Sequence, residues 1–458
     1  MMTSAQPAID HARASRDAYM AGFLELLRIP SVSTDPAYKA ELERCADWIV
    51  AEMTRIGIKN SRKFPTDGHP VVYGEWLEAG ADKPTVLIYA HYDVQPVDPL
   101  NLWTTPPFEP TFRDGNLYAR GVVDDKSGVY VNLKALESIL AVDGRLPVNV
   151  KLFFEGEEES GSPSMHPFVA AHKDLLKSDL LILCDGEFDR NLPQMIYSGR
   201  GITSAEVTVT GPDHDLHSGE YGGVVHNPLH VVGRIIGSFH DDAGRVRIPG
   251  FYDAVQPLSA DELASLQRVW AITSEPYLAK SGTKYYWGDS IASIPERGTA
   301  LPTLEVNGMW GGYQGPGTKT VIPSKAGFKV TMRLVSDQNP DAIATLFSDY
   351  VMGFASDTAE IAVQVLAEGF PFQGLFDGAG VEAIQKALEA TIGRRALLVR
   401  TGGSIPIAGM FHSELGTPMT NLGLGAGENI HSPNEYVRVD DFYLCIDTAI
   451  RLYYNLAE

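Results

Sequence analysis

Three short apolar runs in this chain each stop at a residue of a different kind. Pro84 to Ala90 (PTVLIYA) runs into His91-Tyr92-Asp93. Val148 to Phe154 (VNVKLFF) runs into Glu155-Gly156-Glu157-Glu158-Glu159, and Asp179 to Cys184 (DLLILC) runs into Asp185. Runs of this length read as buried strands of a mostly parallel sheet. In an open α/β sheet the ligand crevice lies outside the carboxyl ends of the strands. Three strands then deliver one histidine and several carboxylates to the same edge. Imidazole mixed with carboxylate suits a hard or borderline divalent ion, zinc or manganese first.

At 458 residues the chain is too long for one core, so two domains are expected. Helical spacing marks residues 10–29 (Met20, Phe23, Leu24, Leu27) and 38–57 (Leu42, Ala46, Ile49, Met53). Strands and helices then alternate to about residue 185, with one helix starting near Gly128, which indicates an α/β layer fold. From about residue 200 the pattern changes. Ser204 to Thr210 alternates with period two, as a half-exposed strand does. An apolar helix is expected over Val224 to Phe239, and an irregular Gly/Pro-rich stretch over 241–319. A strand (Phe328 to Leu334), a helix (Pro340 to Met352) and a strand (Ile361 to Leu366) follow. The fold class expected is α/β: a mixed, mostly parallel sheet with helices on both faces, carrying an inserted α+β, ferredoxin-like domain. The boundaries read as 1–199, 200–368 for the insert, and 369–458, ending in a helix over Asp441 to Leu456.

Charge removes several function classes. Lys and Arg number 37 against 58 Asp and Glu, a net charge of −21. That balance opposes nucleic acid, which needs basic patches, and opposes docking on anionic lipid. No stretch reaches the roughly 18 apolar residues of a membrane span. Glu25 and Arg28 interrupt the early apolar segment, so no signal peptide is read. Cys45, Cys184 and Cys445 are scattered with no CxxC spacing, as expected of reduced thiols in a cytoplasmic protein.

Each chemical signal is moderate by itself. His91-x-Asp93 offers an imidazole with an acid placed to orient it, as ligating histidines usually require. Alone, that pair is as well explained by a satisfied histidine at a strand end. Asp124 and Asp125 sit in a turn between Gly121 and Gly128. Asp125 is accounted for by the dipole of the helix that follows, whereas Asp124 lies where the backbone bends tightly and a carboxylate can bridge two cations. Glu157-Glu158-Glu159 would ordinarily be a solvated face. Directly after a buried strand it concentrates repulsion that cations relieve, with one carboxylate as ligand and its neighbour as general base. His431, in the Gly-rich loop Gly427 to Glu435, supplies a second histidine. Together these residues suffice for two metal ions, each with an open position for water.

The motifs HYDVQP, ARGVVDDKSG, FEGEEESGS, the strand-end Asp185 and ENIHSPNE resemble the family of co-catalytic di-zinc peptidases. That family includes aminoacylases, glutamate carboxypeptidases and desuccinylases. Within it the chain looks nearest to carnosinase-like cytosolic nonspecific dipeptidases, through DLHSGEYGG, KTVIPSK, RLV and TGGSIP. The resemblance implies that Asp124 bridges two divalent ions, Zn²⁺ first and Mn²⁺ second. It implies that His91 and Asp185 complete one site, and that Glu159 and His431 complete the other. Glu158 would be the general base and Asp93 the partner of His91. His217 would stabilise the oxyanion in a partner subunit's site, making a homodimer through the inserted lid/dimerisation domain. Thr320, Arg333, Gly403 and Ser404 would line the pocket for the substrate's C-terminal part. One departure stands out: dipeptidases of this kind carry a histidine near the end of the insert, and Leu366 to Pro371 contains none.

The reading is metal-dependent hydrolysis of the amide bond of dipeptides or similar small peptides. The nearest alternative is an N-acyl-amino-acid amidohydrolase or carboxypeptidase on the same scaffold. A catalytically silent metal-binding scaffold would have no use for both Glu158 and Glu159. A two-metal phosphate-ester hydrolase would need a basic clamp near the acidic motifs, and none is present.

Overall fold

The computed structural model describes residues 4–288 and 292–458. The chain forms two compact units. The first holds Met1–Tyr197, Gly374–Val399 and Met410–Glu458; the second holds Ser198–Gln373 and Arg400–Gly409. Residues 400–409, expected in the first domain from sequence, belong to the second unit. Bonds inside the second unit draw them away: the Arg200 backbone donates to Gly403 O at 3.0 Å, and Arg333 Nη1 donates to Ser404 Oγ at 2.7 Å.

In the first unit a six-stranded sheet runs in the order Lys59–Phe64, Val71–Trp76, Asn149–Glu155, Thr85–His91, Leu180–Leu183, Met419–Asn421. The four strands from Asn149–Glu155 to Met419–Asn421 are parallel, and the first two join antiparallel. The three apolar runs are thus adjacent parallel strands. Their unbroken apolar character follows from burial on both faces. Val86, Ile88 and Ala90 enter the main core. On the opposite face Tyr89 and Phe153 meet the Phe411 ring at 5.4 and 5.6 Å. The helices Lys126–Asp143, Ala379–Ile392 and Val439–Asn455 pack on one another in that core, with Phe23 stacked between Tyr130 and Phe442. Register places His91 opposite Glu155, so the histidine and the acidic loop leave the sheet side by side.

The second unit contains a four-stranded antiparallel sheet in the order Thr303–Gly311, Lys325–Leu334, Gly201–Thr210, Glu360–Gly369. Every second residue of Gly201–Thr210 is buried, as its alternation requires. Helices Pro228–Ser238 and Pro340–Met352 close one core around Val207, Phe239, Phe328 and Phe347. Each starts at an asparagine followed by proline. Asn227 accepts from Leu229 N and Asn339 from Ala342 N, so the first helix begins at Pro228, four residues after the start expected from its apolar run. The stretch 241–319 is not irregular throughout. It contains a helix, Ala260–Ser281, and the edge strand Thr303–Gly311. That helix buries only Ser265 and Leu266, so it has no apolar stripe to read; its signal is the capping box Ser259-x-x-Glu262.

Candidate metal centre

His91 is the last residue of its strand and is wholly buried. Its Nδ1 lies 3.1 Å from Asp93 O and 3.3 Å from Asp93 Oδ1. Nε2 is thereby left to meet Asp124 Oδ1 at 3.0 Å. Asp93 also accepts from the backbone N–H of Glu158 (3.2 Å) and of Glu159 (3.1 Å). One buried carboxylate therefore fixes both the ring of His91 and the start of the acidic loop.

Asp124 ends a turn built around Gly121, whose φ of +78° favours glycine and where a Cβ would come within 2.4 Å of Val94. Glu435 holds the turn from behind. It is fully buried and accepts from Gly121 N (2.9 Å), Val123 N (2.8 Å), Asp124 N (3.2 Å) and Arg120 Nη1 (2.7 Å). Asp124 then offers one oxygen to each histidine: Oδ1 to His91 and Oδ2 to His431 Nε2, at 2.9 Å. Burial pushes its carboxyl upward, but the bonds to His431 and His91 outweigh it and hold the group well below the usual range. His431 sits at φ +58°, an uncommon backbone for histidine, which aims it at the cluster. Asp124 and Glu159 raise its pKa to about 10.

The three glutamates after the second strand have three different surroundings. Glu157 is saturated, accepting from His69 N (2.7 Å) and from Ser164 N (3.1 Å). Glu159 Oε2 meets Gln95 Nε2 at 2.6 Å and His431 Nε2 at 3.2 Å, while its Oε1 is buried with no partner. The Glu158 carboxylate takes no side-chain hydrogen bond among the described residues. Burial, followed by the charges of Asp185, Glu159 and Asp93, raises it to about 8 against the opposing pull of His91. Burial and Asp124 likewise raise Asp185 to about 6.

Ligand atoms of His91, Asp124 and Glu159 lie within 4.8 Å of one another, and so do those of His91, Asp125 and Asp185. Asp125 is nevertheless occupied: one oxygen caps the following helix through Gly128 N, and the other accepts from His91 N, each at 3.2 Å. It keeps the structural role read from the sequence, and Asp185 is the free acid of that set. The orphaned Glu159 oxygen and the crowding of Asp124, Glu158, Glu159 and Asp185 around two imidazoles fit divalent cations. His91, Asp93, Asp124, Glu158, Glu159, Asp185 and His431 are thus together in the first unit. His217, Thr320, Arg333, Gly403 and Ser404 belong to the second. There His217 is exposed, pairs with Val321, and accepts from Gly219 N at 3.0 Å on Nδ1. Ser218 N donates to Thr320 O at 3.0 Å.

Sequence reading did not single out Glu435 or Gln95. Both fall inside quoted motifs (ENIHSPNE and HYDVQP), but their role is support, which neither spacing nor residue type announces.

The fold and centre define a metallopeptidase architecture, and the comparisons agree. Residues 87–455 match the model of peptidase family M20/M25/M40, and the chain belongs to that family. It is 31% identical to the human beta-Ala-His dipeptidase, over 89% of this chain and 83% of that one. It is 30% identical to the Cys-Gly metallodipeptidase dug1 of Schizosaccharomyces pombe, over 97% and 96%. Among solved structures it superposes on an M20 family metallo-carboxypeptidase from Sulfolobus solfataricus with a TM-score of 0.78 and 30% identity, covering 96% of this chain and 99% of that one.

Proposed function

We propose that this protein hydrolyses the amide bond of dipeptides or similar small peptides at a two-metal centre. Two divalent ions, zinc first and manganese second, would be held with Asp124 common to both. His91 and Asp185 would complete one site; Glu159 and His431 would complete the other. When bound, the ions acidify a water and polarise the scissile carbonyl. Glu158 takes the proton of the attacking water and hands it to the leaving amine. Asp93 keeps His91 in the tautomer that presents Nε2. The observation that carries this division of labour is the inequality of the triplet: Glu157 saturated, Glu159 tied to His431, and only Glu158 with an unengaged carboxylate.

The second unit serves as a lid and dimerisation domain, and His217 stabilises the oxyanion in the partner's site. Thr320, Arg333, Gly403 and Ser404 receive the C-terminal part of the substrate. Exposed Val224, Met309, Val365 and Leu366 support a covered surface there. The absence of a histidine in 366–371 favours keeping N-acyl amino acids beside dipeptides as substrates. No helix among the described residues is long and apolar enough to cross a membrane, and the three cysteines are buried and free, which supports a cytoplasmic setting.

The test is a mass-spectrometric screen of dipeptides and N-acyl amino acids with zinc- and manganese-loaded protein. Dipeptide turnover that a chelator abolishes is expected; no amide hydrolysis by either metal form would overturn the proposal. The dimer is tested by mixing inactive His217→Ala and Glu158→Gln chains. Recovery of activity in the heterodimer is expected, because one of its sites carries both defects and the other is intact. No recovery in a proven heterodimer would contradict a role across the interface.

A further inference from the structure

The two histidines of the first unit reach the metal centre by different means. His91 arrives from a buried strand end. His431 arrives from the connection 429–435 between the short strands Gly427–Glu428 and Tyr436–Arg438. The His431 side chain is 53% exposed, against 2% for Glu159 beside it, so burial does not set the ring in place. The backbone resists as well. Asn429, His431 and Asn434 all lie in the left-handed region, at φ +63°, +58° and +61°. Bonds from outside the connection have to hold it.

The segment Gln95–Thr104, in the same unit, supplies them. Val94 N donates to Ser31 O at 2.9 Å and anchors its start. Gln95 Nε2 donates to Glu159 Oε2 at 2.6 Å. At the far end Thr104 N donates to Asn434 Oδ1 at 2.9 Å, and Asn434 Nδ2 donates to Leu102 O at 2.8 Å. Between these ends Trp103 Nε1 donates to Val97 O at 2.7 Å and Arg120 Nη2 to Pro96 O at 3.1 Å, with the Arg120 guanidinium 5.3 Å from the centre of the Trp103 ring. Through Nη1 the same arginine holds Glu435 at 2.7 Å. One closed segment thus grips Glu159 at one end and the His431 connection at the other. Among the described residues it makes no side-chain bond to His91 or Asp185.

We propose that Gln95–Thr104 is a brace for one metal position, and that Asn434 is the positioning residue through which it aims His431. This role rests on the two-metal reading above and goes beyond it. The position formed by Glu159 and His431 depends on the brace; the position formed by His91 and Asp185 does not. A fixed outer partner is worth about 10–100-fold in metal affinity.

The experiment titrates the full chain with zinc in competition with a chromophoric chelator and reads stoichiometry and affinity. Glycine accepts the left-handed backbone readily, so Asn434→Gly removes the two bonds without straining the turn. It should weaken one ion about 10–100-fold and leave the other as in wild type. Asn434→Asp keeps the acceptor for Thr104 N and should fall between; it carries the test if the glycine variant does not fold. Gln95→Ala should weaken the same ion. The double variant should lose less than the product of the single losses, since either change releases one brace. On a His431→Ala background, which retains one position, Asn434→Gly should change nothing. Wild-type binding of both ions by folded Asn434→Gly chains would overturn the brace. So would equal weakening of both ions, a fully multiplicative double variant, or a further loss on the His431→Ala background. If wild type binds no zinc, or if His431→Ala keeps both ions, the metal assignment itself fails and takes the brace with it.

Discussion

Two half-buried clusters of like charge stand in this molecule, one in each unit. In the first, Asp124, Glu158, Glu159 and Asp185 crowd around two histidines. In the second, Arg333 lies in a strand paired with Gly201–Thr210 and Arg200 directly precedes that strand, with no acid among the described residues within ion-pair distance of either. The acidic cluster is wrapped in supporting bonds. Asp93 fixes His91, Glu435 fixes the Asp124 turn, and Gln95 fixes Glu159. The arginine pair is held more lightly, by backbone carbonyls and a hydroxyl. Metal ions need several oxygens and nitrogens fixed to within a few tenths of an ångström. Under the proposed reading, uncompensated charge of one sign sets the sign of the ligand that the acidic cluster would bind.

The comparison breaks most severely at Asp124. Asp124→Ala removes the carboxylate offered to both histidines and should empty or scramble both metal positions, with activity lost. Retention of two ions per chain by elemental analysis, with near-normal turnover, would refute the bridging role. Glu435→Ala tests whether the acidic cluster depends on its support. It strips a buried partner from Arg120 and three backbone donors from the Asp124 turn. A loss of about 3–5 kcal/mol in denaturant unfolding is expected. Metal affinity should fall about 10–100-fold. Unchanged affinity in a folded variant would separate Glu435 from the centre.

Acidity sharpens the contrast. Bonds to Asp124 and Glu159 raise His431 in the metal-free chain to about 10, so the proton that stabilises this arrangement is fully held near neutrality and lost only as pH rises toward that value. A metal bound through His431 would have to displace it. Loading should therefore release protons and tighten as pH rises from about 6 to 8. Titration calorimetry in buffers of different ionisation enthalpy reads this directly. The smallest effect expected is at Glu262, which caps the helix Ala260–Ser281 and faces Arg400. Glu262→Ala should cost about 1 kcal/mol by denaturant unfolding. It should leave metal content intact.

What the sequence disclosed and what it hid follow from the same physics. The strands before His91, Glu155 and Asp185 were legible because burial on both faces demands unbroken apolar runs, and because their ends bear ionisable residues that such runs otherwise exclude. The helix Pro340–Met352 was legible from its apolar spacing. The helix Ala260–Ser281 was not, since it buries almost nothing and sits in Gly/Pro-rich surroundings. The membership of 400–409 in the second unit depends on bonds to Arg200 and Arg333, which are distant along the chain. Glu435 was hidden for a related reason. A buried loop glutamate that accepts backbone N–H groups has no period, and only the fold shows what it holds.

The central claim is that neighbouring glutamates have divided labour, Glu159 for the metal and Glu158 for the proton. Glu158→Gln keeps size and shape and removes only the base. Elemental analysis and kcat on one preparation of this variant test the claim most directly. Two ions per chain and a fall in kcat of roughly 10²–10⁴-fold are expected. Loss of an ion from the variant, or full turnover with both ions in place, would contradict it.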